Sequence, residues 1–447
     1  MDYIPKEVSY AVAKMEGFNR NTLRLETSGA TTAGPNSIIT IALPSNASAI
    51  DLRSFKVHFD IATTADASST NVIRSKLPAD TASLIQSMEI YCGGVQISSI
   101  TEFNTVSRIK KLVNSSRDRD GSVDRTLSHG VVTVTDEIDE VSVIFSPKIG
   151  FFAESSTRFI NTAILGDVQV RLTMAPNSVL TYKEVTVAAG GDFSDAAARA
   201  AALNCTYSVS SIHATIDTCT FGDTYERMLL DRLSHEESLK INFKETYCFA
   251  LKSTTGTAHD VRFSLSASSI DACYACFRDA NFEQAGQKMR TLPGAELTDN
   301  HCANHFYFKS FNNSNTQRGA LRWQWSCNNV QHPMHQADVL DAAHNLTMLT
   351  DQTGQSSRGN MITGLQDFNI GKCILPLSLN CPSNPISVQS GYNSRGNNTQ
   401  FSLSVTGQTL PAADPAAQIT AALSTLVVVE TTAQLLIGGF KQVSVQY

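Results

Sequence analysis

Two groups of histidine and cysteine residues have spacings at which a metal ion could be held. Cys273 and Cys276 are followed downstream by His301, Cys302 and His305, and thiolate with imidazole is a zinc donor set. The run from 269 to 277 reads as a strand, however, and residues three apart on a strand point to opposite faces. The two sulfurs therefore do not readily meet one ion. His332 and His335 straddle Pro333 in what reads as a loop. Buried thiols and ordinary loop histidines are the simpler account of both groups, so neither metal nor cofactor is expected.

Enzymatic motifs fail at identifiable positions. His235-Glu236 opens like a zinc-protease helix, but Leu239 stands where the second histidine is needed one turn later. The stretch from Gly364 to Cys373 has the wrong spacing for a phosphate loop and no hydroxyl after Lys372. A Gly-x-Ser-x-Gly elbow is absent. Nothing assembles a nucleophile with a base, and no catalytic residue is assigned. Trp323 and Trp325 share one face of a strand and could stack sugars as lectin jelly rolls do; core filling or a subunit contact suits the pair better. The basic run from Arg108 to Lys111, with Arg117 and Arg119 beyond, is interleaved with Asp118 and Asp120. It reads as a solvated face or an intersubunit ion-pair set rather than a phosphate track.

Composition narrows the class further. At 447 residues the chain exceeds one typical core. Charged residues make up 17%, below the usual ~25%, which suits a protein that buries much of its outside against neighbours. A net charge of −6 offers no basic footprint for direct nucleic-acid binding. The N-terminus lacks the apolar core of a signal peptide, and nowhere do enough apolar residues run together to span a bilayer. Synthesis and residence in a cytosol-like compartment follow as expectations. Ten cysteines, scattered without a framework, read as reduced thiols.

The elements that would position these residues are mostly short strands. Residues 54 to 61 and 168 to 174 alternate apolar and polar side chains with period two, as a half-buried strand requires. Further strands are expected at 239–249, 261–265, 401–405 and 434–445. Helical spacing appears at 102–114, 223–235 and 336–349; in the second, Tyr225, Met228, Leu229 and Leu233 would pack one face. Stretches rich in Gly, Ser, Asn, Thr and Pro lie between. This pattern predicts sandwiches or barrels.

One layout occurs twice. Met88 to Gln96 reads as a strand, a Gly93-Gly94 turn and a returning strand, followed by a helix carrying Phe103, Val106, Ile109 and Leu112. Trp323 to Gln331 has the same form around Asn328-Asn329, followed by Val339, Ala342, Leu346 and Leu349. Both contain Cys-x-x-Val-Gln, at Cys92 and Cys327. Gly-Gly and Asn-Asn both tolerate the positive φ of a two-residue hairpin turn. An Ala-rich stretch and a further strand follow in each half, at 188–219 and 412–445. Two copies of one β-domain account for this order, divided as an N-terminal arm at 1–19, a first roll at 20–222, a linker helix at 223–238 and a second roll at 239–447.

The sequence resembles the double jelly-roll major capsid proteins of double-stranded DNA viruses, especially the virophage, Polinton and Polinton-like branch. The resemblance rests on Ser83 to Tyr91 leading into Gly93-Gly94-Val95 and Phe103-Asn104, on Phe221 to Leu230 running into Leu239 to Phe243, on Trp325 to Met334, and on Val429 to Ile437 closing on Val443-Ser444-Val445. It implies an all-β fold of two tandem eight-stranded jelly rolls with a few short helices. It also implies homotrimers forming pseudo-hexagonal capsomers of an icosahedral virion shell, assembled inside the host cell. Neighbouring capsomers, penton and minor or cement capsid proteins would be the partners, with an internal membrane left open. A carbohydrate- or receptor-binding β-sandwich is the rival reading.

The N-terminal residues suggest an assembly arm. Val8, Ala11, Val12 and Met15 form one apolar stripe on a helix of barely three turns beginning near Pro5. So short a helix needs a surface to pack on.

Overall fold

The computed structural model describes residues 19–45, 49–63, 72–76, 81–114, 140–185, 206–221, 223–234, 238–252, 256–283, 287–288, 304–314, 316–352, 365–381, 386, 388–396, 399–410, 422–439 and 442–447. The arm residues Val8, Ala11, Val12 and Met15, the Ala-rich stretches, His235, His301 and Cys302, and Arg117 to Asp120 lie outside them.

In the first half the strands are β1 (Asn19–Glu26), β2 (Ile38–Ala42), β3 (Ala49–Thr63), β4 (Val72–Lys76), β5 (Ile85–Cys92) and β6 (Val95–Ile100), then helix α1 (Phe103–Asn114). Strands β7 (Glu140–Phe145) and β8 (Phe159–Ile160), helix α2 (Thr162–Leu165), and strands β9 (Val168–Met174), β10 (Thr181–Val185) and β11 (Tyr207–Thr220) complete it. Helix α3 (Asp223–Ser234) leads to the second half. There β12 (Leu239–Lys252), β13 (His259–Ser264), β14 (Ile270–Asp279), β15 (Gln287–Lys288), β16 (Arg322–Cys327) and β17 (Val330–Ala337) precede α4 (Val339–Gln352) and α5 (Leu365–Gly371). Strands β18 (Leu375–Ser378), β19 (Gln400–Thr406), β20 (Leu423–Ile437) and β21 (Val443–Gln446) follow.

Four antiparallel sheets carry the fold, and they come in two matching pairs. In the first half the orders are β1-β11-β3-β7 and β2-β9-β5-β6; in the second they are β12-β20-β14-β18 and β13-β19-β16-β17. Each half thus takes its eight principal strands in the same chain order and deals them to two sheets in the same way. This is the two-sheet, eight-strand pattern of a jelly roll. A small sheet of β4, β10 and β15 adds a parallel contact between the halves.

The two hairpins fall at the same place in each pair of sheets. Cys92 pairs with Val95 and Tyr91 with Gln96; Cys327 pairs with Val330 and Ser326 with Gln331. The intervening residues all have positive φ, at 55° and 82° for Gly93 and Gly94 and 47° and 68° for Asn328 and Asn329. After each hairpin the helix returns its apolar stripe to the core: Phe103, Val106, Ile109 and Leu112 are buried, as are Val339, Ala342 and Leu346. Core side chains of both halves form one continuous cluster.

Several expectations need correction. His332 and His335 lie in β17, not in a loop. Pro333 is accommodated because β17 is an edge strand, where the missing N–H breaks no ladder. Residues 434–445 are not one strand; they hold the end of β20 and the short return strand β21. Of the apolar face expected on α3, Leu229 and Leu233 are half-buried, but Met228 is 67% exposed and does not pack.

Candidate functional site: the seam between the two rolls

The densest set of buried charged groups among the described residues joins the two halves. Lys110 projects from α1 onto β20, where it donates a hydrogen bond to Glu430, and it stands 3.6 Å from Glu154. Lys244, on β12, reaches Asp271 at 2.6 Å and Glu430 at 3.7 Å. Burial works against the charge on Lys110, but Glu154 and Glu430 outweigh it and raise its pKa. Burial would likewise raise Glu430; Lys110 and Lys244 reverse this and hold it at about 2. Glu154 goes the other way, its pKa raised by burial despite Lys110. Three carboxylates face two ammonium groups, so one carboxylate holds its proton more tightly.

A second set lies about two turns earlier, where the same helix begins. Glu102, at the start of α1 with φ of 52°, accepts hydrogen bonds from Gln86 and Thr105 and lies 3.9 Å from Arg278 and 3.5 Å from His305. Arg278 is fully buried, with its guanidinium carbon 3.7 Å from the centre of the Phe282 ring. Burial lowers the pKa of His305, and Glu102 is held at about 2 against its own burial, chiefly by His305 and Arg278.

Backbone contacts reinforce the seam. Ser156 N–H donates to Asn242 O at 2.7 Å and Lys244 N–H to Glu154 O at 2.9 Å, so the loop after β7 adds a short rung to β12. Ser99 N–H, on β6, donates to Glu245 Oε1 at 3.0 Å. Burial pushes the Glu245 carboxyl up to about 7. The Tyr447 hydroxyl donates to Gln96 O at 3.4 Å.

The residues singled out from sequence are not brought together. Cys273 and Cys276 occupy opposite faces of β14: Cys273 neighbours Cys327, whereas Cys276 neighbours Arg278, Glu102 and Cys373. Both are buried free thiols whose pKa burial raises. Among the described residues no group of three or more His, Cys, Asp or Glu side chains could hold a metal ion. Trp323 and Trp325 are 1% and 0% exposed, so they fill the core of the second half and offer no sugar platform. Trp323 Nε1–H donates to Asp338 O at 2.8 Å. The reading of 108–111 as a solvated or intersubunit face also needs correction, because Lys110 is buried against the chain's own second half. Sequence reasoning missed Glu102, Glu154, Glu245, Arg278 and Glu430. Glu430 carried a signal, a lone carboxylate after Leu426-Val427-Val428-Val429.

These contacts join two jelly rolls within one chain, and solved structures share the fold. The PBCV-1 virus capsid protein superposes with a TM-score of 0.61 at 15% identity, covering 96% of this chain and 97% of that one. The chain has the double jelly-roll fold of viral capsid proteins. The Faustovirus major capsid protein matches with a TM-score of 0.53 at 10% identity, over 94% of this chain and 91% of its own. A chain of the Sputnik virophage matches with a TM-score of 0.53 at 12% identity, over 97% and 88%. No family model matches the sequence, and no curated protein matches it. The double jelly-roll likeness is therefore one of fold. No helix among the described residues is long and apolar enough to cross a membrane.

Proposed function

We propose that this chain is the major subunit of a viral capsid, a structural protein of the virion shell that assembles as homotrimers. The observation that carries this reading is the duplicated roll, which extends over nearly all of the chain and is matched end to end by the PBCV-1 capsid fold. Three copies of a two-roll chain supply six near-equivalent rolls, the number a pseudo-hexagonal capsomer in an icosahedral shell needs. The division into rolls at 20–222 and 239–447, with a linker at 223–238, belongs to the same proposal. So do the positive-φ turns at Gly93, Gly94, Asn328 and Asn329 as shape-fixing elements, and residues 1–19 as an arm between capsomers. Neighbouring capsomers, penton and minor proteins would be its partners. Light scattering on the purified chain tests the reading: a mass of three chains is expected, with shells in electron micrographs at higher concentration. A chain that stays monomeric and is retained on a glycan column would sink it.

A further inference from the structure

Lys244 and Asp271 meet although their strands are not neighbours. Strand β20 runs between β12 and β14, with Thr432 opposite Lys244. The ladder of β14 on β20 passes from Ile270 with Thr431 to Ala272 with Glu430, so Asp271 is an extra residue at an irregularity. Such a bulge re-aims a side chain. Here the carboxylate reaches across Thr432, and Lys244 Nζ donates to its Oδ2 at 2.6 Å.

Both oxygens of that carboxylate are held. Thr432 Oγ1–H donates to Oδ2 at 2.6 Å and Ser269 Oγ–H to Oδ1 at 2.9 Å. Ser269 Oγ accepts from Gly391 N–H at 2.9 Å, which leaves its own proton for Asp271. Glu430 Oε1 stands 3.7 Å from Lys244 Nζ. Water is kept out on two sides. A Cβ on Gly391 would fall 2.6 Å from Asp271 Oδ1, so the loop carrying that glycine closes directly over the carboxylate. The first roll covers the same sheet through Lys110 on Glu430, and all ten residues of β14 are buried. On the matching face of the first roll the charged Arg24, Glu26 and Lys56 are exposed.

An amine fixed against a carboxyl group in a dry site is placed for acyl transfer. We propose that Lys244 and Asp271 condense into an intramolecular isopeptide bond that ties β12 to β14 across β20. Lys244 Nζ attacks Asp271 Cγ, the Cγ–Oδ2 bond breaks, and Oδ2 departs as water. Of the three protons on the ammonium, one stays on the amide and two leave with Oδ2, so no other reagent is consumed. Glu430 Oε1 takes the proton that frees the Nζ lone pair and returns it to the leaving oxygen. Ser269 Oγ–H stabilises the charge that builds on Oδ1 in the tetrahedral intermediate. The product is a neutral amide where two buried charges stood, shielded from hydrolysis. Lys110 and Glu430 stay an ion pair: the Tyr274 hydroxyl, 3.5 Å from Glu430, is too distant to hold an oxyanion, and Lys110 is shared with Glu154. The bond closes the chain between residues 244 and 271 and constrains its unfolded state as a disulfide would, in a protein whose described cysteines are free thiols.

Mass spectrometry of the full chain, folded as shown by a cooperative melt and then denatured for measurement, tests the bond. The native chain is expected to weigh one water less than its sequence requires. Its tryptic digest should contain a branched peptide that joins residues 241–252, uncut after Lys244, to residues 263–278. Lys244→Arg keeps the positive charge but has no primary amine, and Asp271→Ala removes the acyl group. Both should show the full mass and lose the branched peptide entirely. A folded native chain of full mass, a missing water that maps to other residues, or a branched peptide that survives either substitution would overturn the proposal.

Discussion

Lys110 and Glu430, 320 residues apart in sequence, form a buried hydrogen-bonded ion pair across the seam between the two rolls. Removing one partner of such a pair leaves the other charge stranded in a medium that solvates it poorly. Lys110→Met should destabilise the fold by about 3 to 5 kcal/mol. The double change Lys110→Met with Glu430→Gln should cost much less than the sum of the single changes. Denaturant melts of the three variants check this; additive losses would mean that the two groups do not interact.

Glu245 makes stability depend on pH in the opposite sense to Glu430. Its folded pKa of about 7 lies above the usual carboxylate value of 4.5, so the folded state keeps a proton that the unfolded chain gives up. Its contribution is greatest below about pH 4.5, declines as pH rises towards 7 and levels off above that. Glu245→Gln should remove this slope and recover about 3 kcal/mol at pH 8. Glu430, held at about 2, stabilises the fold above its unfolded value of 4.5 and loses that contribution as pH falls towards 2. Melting temperatures of Glu245→Gln and the native chain between pH 4 and 8 should converge at the acid end; parallel curves would contradict the assignment.

Gly94→Val isolates backbone strain from crowding. An added Cβ would meet nothing within 4 Å, so the penalty comes from φ at 82° alone. A β-branched residue there should cost about 1 to 3 kcal/mol. A melting temperature equal to that of the native chain would show that the turn relaxes to another form.

The two tryptophans should respond differently to removal of the indole N–H. Trp323→Phe loses the bond to Asp338 O, whereas Trp325 Nε1 is buried without a hydrogen-bond partner. Similar cavities form at both sites, so Trp323→Phe should be the more destabilising by about 1 kcal/mol. Equal losses in chemical denaturation would argue against the Asp338 contact.

Strand and helix periodicity made the architecture legible. The helix expected at 102–114 lies at Phe103–Asn114, and the strand expected at 168–174 lies at Val168–Met174. Those signals are local, set by which face of one element meets the core. The seam was not legible, because it depends on which outer face of one roll the other covers. Lys110 is an ordinary basic residue within a polar run until β20 is placed against it. His332 and His335 were misplaced for a related reason: proline reads as a loop former unless the edge position of β17 is known. Met228 shows the converse limit, since helical spacing marks an apolar stripe without saying what lies opposite it.

The burial of β14 on both faces bears on the order in which the chain matures. A strand whose outer face holds Tyr274, Cys276 and Arg278 needs a lid before it is presentable to water, and that lid is the first roll. The first roll carries polar side chains on its own outer face and makes no such demand. Translation delivers it first, so the nascent second half emerges onto a partner already in place. Produced on its own, a 239–447 fragment should aggregate unless a separate 19–222 fragment is present to nurse it.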